Sequence, residues 1–139
     1  MDALQNDKNY GTLYVQVSAA SGAVPISGAT VIVRATDEEN IIQTLGVSLT
    51  DESGLTVPIA IQTPSVSESL SPGGKKPYSE ITTEVSKEGY FTSVNLNIPI
   101  YPGITSIQPV GLIPLPESAR GAQPASDVVI HNDIPRPNL

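Results

Sequence analysis

Of the side chains that commonly carry catalysis, the 139-residue sequence holds one histidine, His131, and no cysteine. Thiolate nucleophiles, disulfides and zinc-thiolate sites are therefore excluded. A serine nucleophile needs a base within hydrogen-bond reach. His131 sits between Ile130 and Asn132 in the C-terminal tail, where it reads as an exposed residue that would need partners from another subunit. Ser65, Ser67, Ser69, Ser71 and Ser79 lie in or beside a Pro- and Gly-rich stretch, so loop composition accounts for them. Asp37, Glu38 and Glu39 with Asn40 form the densest acidic cluster. A calcium loop takes six to eight oxygens at alternate positions around a turning glycine, and this run has neither, so it reads as a solvated turn. Asp51 and Glu52 read as turn residues. No catalytic, cofactor-binding or metal-ligating residue is assigned, and no cofactor is expected. The aromatics that could stack on a sugar, Tyr78, Tyr90, Phe91 and Tyr101, fall in the second half of the body and form a candidate binding face. With no tryptophan such a platform is sparse, and Tyr90, following Gly89, fits a corner residue packing across a sheet.

The elements that would position these groups are strands. Residues 11–18 place Leu13, Val15 and Val17 on one face; residues 29–35 do the same with Ala29, Val31 and Val33. β character resumes over 41–50 after the acidic break, and the turn at 51–54 ends on Gly54, which accommodates a positive φ. Residues 55–62 alternate again through Leu55, Val57, Ile59 and Ile61, and Pro58, which cannot donate to a ladder, places that strand at an edge or itself at a bulge, the edge being the favoured reading. Residues 63–77 hold three prolines and two adjacent glycines and read as a crossover loop. Further strands are expected over 78–87, over 90–98 with Val94, Leu96 and Ile98 in register, and over 104–115. Seven strands with no long helical pattern predict an all-β, seven-stranded antiparallel sandwich with extended terminal arms. The organisation is an arm at 1–10, a body at 11–116 and a tail at 117–139.

Seven basic against 14 acidic residues give a net charge of -7, so phosphate backbones would be repelled and nucleic acid is not an expected partner. No apolar run approaches the length that spans a bilayer, so membrane insertion is not expected. Residues 1–10 contain neither a basic nor an apolar signal region, and localisation stays open.

The words PISGATVIV (25–33), TDESG (50–54) and PYSEITTEVSKEGY (77–90) resemble carboxypeptidase regulatory-like domains, which have the transthyretin-like (prealbumin-like) fold. Over 62–116, KPYS, EVSKEGY and ITSIQPV in particular are similar to the N-terminal segment of clostridial spore cortex-lytic enzymes. That resemblance implies a non-catalytic accessory module of Firmicute or related origin in a spore setting, while the lack of a signal region in 1–10 is consistent with synthesis in the cytoplasm and a spore or cell-surface destination. Enzymes sharing the fold, the hydroxyisourate hydrolases and intradiol dioxygenases, use more histidines than the one present here. The lysine–asparagine cross-link of similarly shaped pilin domains is not supported, because 11–18 contains no lysine and 104–115 no asparagine.

The sequence thus points to a non-catalytic structural or assembly subunit whose terminal arms dock onto neighbouring copies or another protein, the alternative being a module that binds cell-wall or cortex glycan or a partner hydrolase. The candidate assembly segment is Asp127, Val128, Val129 and Ile130, expected to add to a sheet edge, in trans if the protein is an oligomer and in cis if it is not. The expected core is Leu13, Val15, Val17, Val31, Val33, Val57, Ile59, Val85, Leu96 and Val110. Val33→Asp should lower stability by about 3 kcal/mol or more through an unpaired charge between the sheets, measurable by urea denaturation.

Overall fold

The computed structural model of the protein describes residues 9–36, 39–64, 78–116, 128–131 and 136–137. Ten strands follow in chain order: β1 (Tyr10–Ala19), β2 (Val24–Pro25), β3 (Thr30–Thr36), β4 (Ile42–Leu49), β5 (Ile59–Gln62), β6 (Ser79–Ser86), β7 (Thr92–Ile100), β8 (Thr105–Gly111), β9 (Val128–His131) and β10 (Arg136–Pro137). A 3-10 turn, Ala20–Gly22, joins β1 to β2. One sheet has the order β10-β8-β1-β2 with β5 also on β1, and the other is β4-β3-β6-β7-β9. Seven of these strands are those the alternation predicts; the three others are pieces of two or four residues. Two neighbour pairs, β1–β8 and β7–β9, run parallel and the rest are antiparallel.

The inward sets meet between the sheets. Leu13, Val15 and Val17 of β1 are fully buried together with Val31 and Val33 of β3, Val85 of β6, and Ile98 and Ile100 of β7. Each such side chain contributes roughly 1.5 to 3 kcal/mol by leaving water. Eight of the ten expected core residues are buried, and two need correction.

Val57 is 65% exposed. Thr56 turns inward instead, its Oγ1 accepting the Val15 N–H at 3.1 Å, and β5 starts only after Pro58. Val57 and Pro58 both face outward, so alternation restarts at Ile59.

Leu96 is half-buried on the outer face. A bulge explains it: Ile81 pairs with Ile98 but Thr83 pairs with Asn95, and Asn97 takes up the extra residue at a φ of 57°. The shift reverses which set points inward, so Ser93 and Asn95 lie inside where Val94 and Leu96 were expected.

Pro109 lies within β8. Leu112 N–H donates to Ser18 O and Ile104 O accepts from Thr12 N–H, so the even-numbered residues of β8 face β1. Pro109 falls among the odd ones, which face the outer edge. There β10 pairs only with Ser106 and Ile107, and a missing donor costs nothing.

The turn at 51–54 ties the two sheets. Thr50 Oγ1 donates to Ile26 O at 2.6 Å and accepts the Ala29 N–H at 2.9 Å, both buried. Asp51 Oδ1 accepts the N–H groups of Ser53 and Leu55. Gly54 is buried at a φ of 79°, and a Cβ there would run into the Val17 carbonyl oxygen. Gly54→Ala therefore combines left-handed backbone with a collision. It should destabilise the fold by about 2 to 4 kcal/mol, visible as a lower thermal midpoint.

Candidate functional site

The sequence-derived candidates do not converge on one place. Tyr78 and Tyr101 meet at one end of the sandwich, their ring centroids 5.2 Å apart and tilted by 54°. Tyr10 joins that end through its carbonyl, which accepts the Gly103 N–H at 2.8 Å. Tyr90 and Phe91 lie at the other end, where Tyr90 bridges Pro114 and Phe91 N–H donates to Ile113 O. The nine residues of β7 separate the two groups by about 30 Å. Tyr90 packs against the core, as its place after Gly89 suggests.

Val128–His131 pairs in parallel with β7, from Thr92↔Val128 to Asn95↔His131, within the same chain. Asp127, Asp37 and Glu38 lie outside the described residues, as do Ser65, Ser67, Ser69 and Ser71. Among the described residues no group of three or more histidine, aspartate or glutamate side chains is placed to hold a metal ion.

Two open pockets flank the sheets. One of about 650 Å³ is lined by Gln16, Ser18, Pro25, Glu52 and Pro109 among others, and one of about 270 Å³ by Leu45, Ile61, Glu80 and Ile81 among others. Among the described residues each has one carboxylate in its lining, Glu52 in the first and Glu80 in the second. Arg34 Nη1 bonds Glu84 Oε1 at 2.9 Å on the outer face, a half-exposed pair of the kind that adds little.

The most distinctive surface is one the sequence reading passes over. Strand β4 is the outermost strand of its sheet, eight residues long and paired only on its β3 side among the described residues. Ile42, Val47 and Leu49 are each about two-thirds exposed. The other outermost strands, β2, β5, β9 and β10, have two or four residues. Short edges are the usual protection against pairing with another chain, and β4 lacks it. Alternation alone could not reveal this, because an apolar strand reads as core until its neighbours are known.

No protein-family model and no curated protein matches the chain. Among solved structures, transthyretin from Sparus aurata shares the arrangement with a TM-score of 0.50 at 14% identity, covering 73% of this chain and 88% of that one. The fold is transthyretin-like. Two larger proteins align less well. 3-Chlorocatechol 1,2-dioxygenase from Rhodococcus opacus gives a TM-score of 0.49 at 12% identity over 76% of this chain and 60% of that chain. (S)-Allantoin synthase gives 0.48 at 13% over 77% and 42%. No helix among the described residues of this transthyretin-like sandwich is long and apolar enough to cross a membrane.

Because β9 and β10 complete the sandwich's own sheets, removing residues 117–139 should leave a folded body with a thermal midpoint lower by about 5 to 10 °C. Calorimetry of the full and shortened chains measures this. An unchanged midpoint would mean that β9 adds nothing to the fold.

Proposed function

We propose that the protein is a non-catalytic assembly module that joins to other protein through the β4 edge. The observation that carries this reading is the eight-residue outermost strand with Ile42, Val47 and Leu49 turned to solvent. Main-chain donors and acceptors along such an edge supply affinity, and alternate side chains supply specificity. A single histidine and the lack of cysteine support the non-catalytic part. So does the resemblance of KPYS, EVSKEGY and ITSIQPV to the N-terminal segment of spore cortex-lytic enzymes, which also supports the carboxypeptidase regulatory-like assignment and a spore or cell-wall setting.

Binding of glycan is the second reading, and it rests on Tyr78 and Tyr101 alone, since Tyr90 and Phe91 lie at the opposite end. Two rings inclined at 54° make a poorer stacking surface than a flat row.

Val47→Lys places a charge on the edge without touching the core. Sedimentation velocity over two decades of concentration should show association in the native chain and a loss of at least tenfold in affinity in the variant, with thermal midpoints equal. Equal association by both would remove β4 from the assembly surface.

A further inference from the structure

The pairing of β4 with β3 fixes which of its side chains face outward. Val31 and Val33 are buried, so their partners Ser48 and Gly46 lie on the inward face, as does Gln43 opposite Ala35, which packs on the core. Ile42, Thr44, Val47 and Leu49, opposite Thr36, Arg34, Ile32 and Thr30, lie on the outward face. The register shift between Val33 and Arg34 leaves Leu45 as the extra residue near the middle of the strand. The result is a palindrome of faces. Ile42, Gln43 and Thr44 read out, in, out, and Leu49, Ser48 and Val47, taken from the other end, read the same.

An antiparallel ladder requires residues directly opposite each other to share a face, and a slip of one residue mismatches the entire strand. A second β4 meets that requirement when its centre falls between Leu45 and Gly46, which sets Ile42 against Leu49, Gln43 against Ser48 and Thr44 against Val47. Slipping the copy by one residue in either direction sets outward residues against inward ones. The bulge thus makes this the register that matches faces over the whole length of the strand.

Charge points to the same occupant. Residues 40–50 contain no charged side chain, in a chain of net charge -7. Self-pairing along this run brings no carboxylates together over its length. A pair of eight-residue strands exchanges about eight main-chain hydrogen bonds, close to the roughly ten of a standard interface.

We propose that β4 pairs antiparallel with β4 of a second copy about a two-fold axis between Leu45 and Gly46, joining two five-stranded sheets into one of ten strands; the inference rests on the assembly reading above. The interface is isologous, with Ile42 packed on Leu49 and Thr44 on Val47 at both ends of the axis. Each copy carries a net charge of -7, so the two copies repel one another at long range.

The absence of native cysteine makes single-cysteine variants a direct test. Thr44 and Val47 are both exposed, so Thr44→Cys and Val47→Cys leave the core intact. In the proposed register residue 44 lies opposite 47, whereas the two copies of residue 44 are about 10 Å apart along the ladder, beyond disulfide reach. An oxidised mixture of the two variants should yield a disulfide-linked heterodimer, and neither variant alone should cross-link appreciably. Without any substitution, the dimer of the native chain should tighten by roughly threefold to tenfold between about 0.05 M and 0.5 M salt as the repulsion between the two acidic chains is screened. Cross-linking of Thr44→Cys or Val47→Cys with itself, or none in the mixture where the native chain is dimeric, overturns the proposed geometry and leaves edge assembly standing. Association that weakens with salt likewise overturns it, indicating a pairing in which opposite charges meet. A native chain that is monomeric at every concentration overturns both.

Discussion

An amide or carbonyl at the rim of a sheet must be bonded by another strand, by solvent or by another molecule, and this requirement organises the protein. Strand β1 is served along one side by β8 and along the other by three successive pieces: β5, the Leu55 bridge to Gln16, and β2. Strand β7 is covered by β9 and the start of β8 by β10. Each piece is too short to offer a template of its own. Strand β4 stands apart in both length and apolar character, and its bulge gives it a pattern of faces that a second copy of the strand would match.

The same irregularities that set the edges also set the interior. The bulge at Asn97 turns Ser93 and Asn95 inward beside Thr83, whose Oγ1 accepts a hydrogen bond from Asn95 Nδ2 at 3.3 Å. Gln108 and Ser106 of β8 are buried as well, so one flank of the core is polar while the β1–β3 flank is aliphatic. Gln108 Oε1 and Ser93 Oγ have no hydrogen-bond partner among the described residues. Hydrogen bonds matched in one packing specify it more sharply than interchangeable methyl groups do, at a cost in stability where partners are missing.

The alternation of Leu13, Val15 and Val17, and of Val31 and Val33, was sufficient to read both central strands from sequence, because regular strands carry a period of two. It failed at Val57 and Leu96 for one reason: an added residue reverses the phase, and neither Pro58 nor Asn97 announces by type alone how the phase will change. Tyr78 and Tyr101 could be grouped with Tyr90 and Phe91 by composition, but only the course of β7 shows that they stand at opposite ends. The β4 surface was illegible for a different reason. Ile42, Val47 and Leu49 resemble core residues in every local respect, and their exposure follows from sheet order, which depends on pairings distant in sequence.

The parallel match of β1 with β8, Thr12 beside Thr105 through Ser18 beside Gly111, carries a kinetic consequence. Strand β1 cannot acquire this neighbour until the segments from β2 to β8 have been synthesised. Strands β3, β4, β6 and β7, by contrast, pair in antiparallel neighbours and can assemble earlier. Folding of the two sheets is therefore staggered, and the closing step must bring distant segments together, which places the chain among slow-folding β topologies. During that interval β1, with its row of Leu13, Val15 and Val17, is the segment most in need of protection from aggregation.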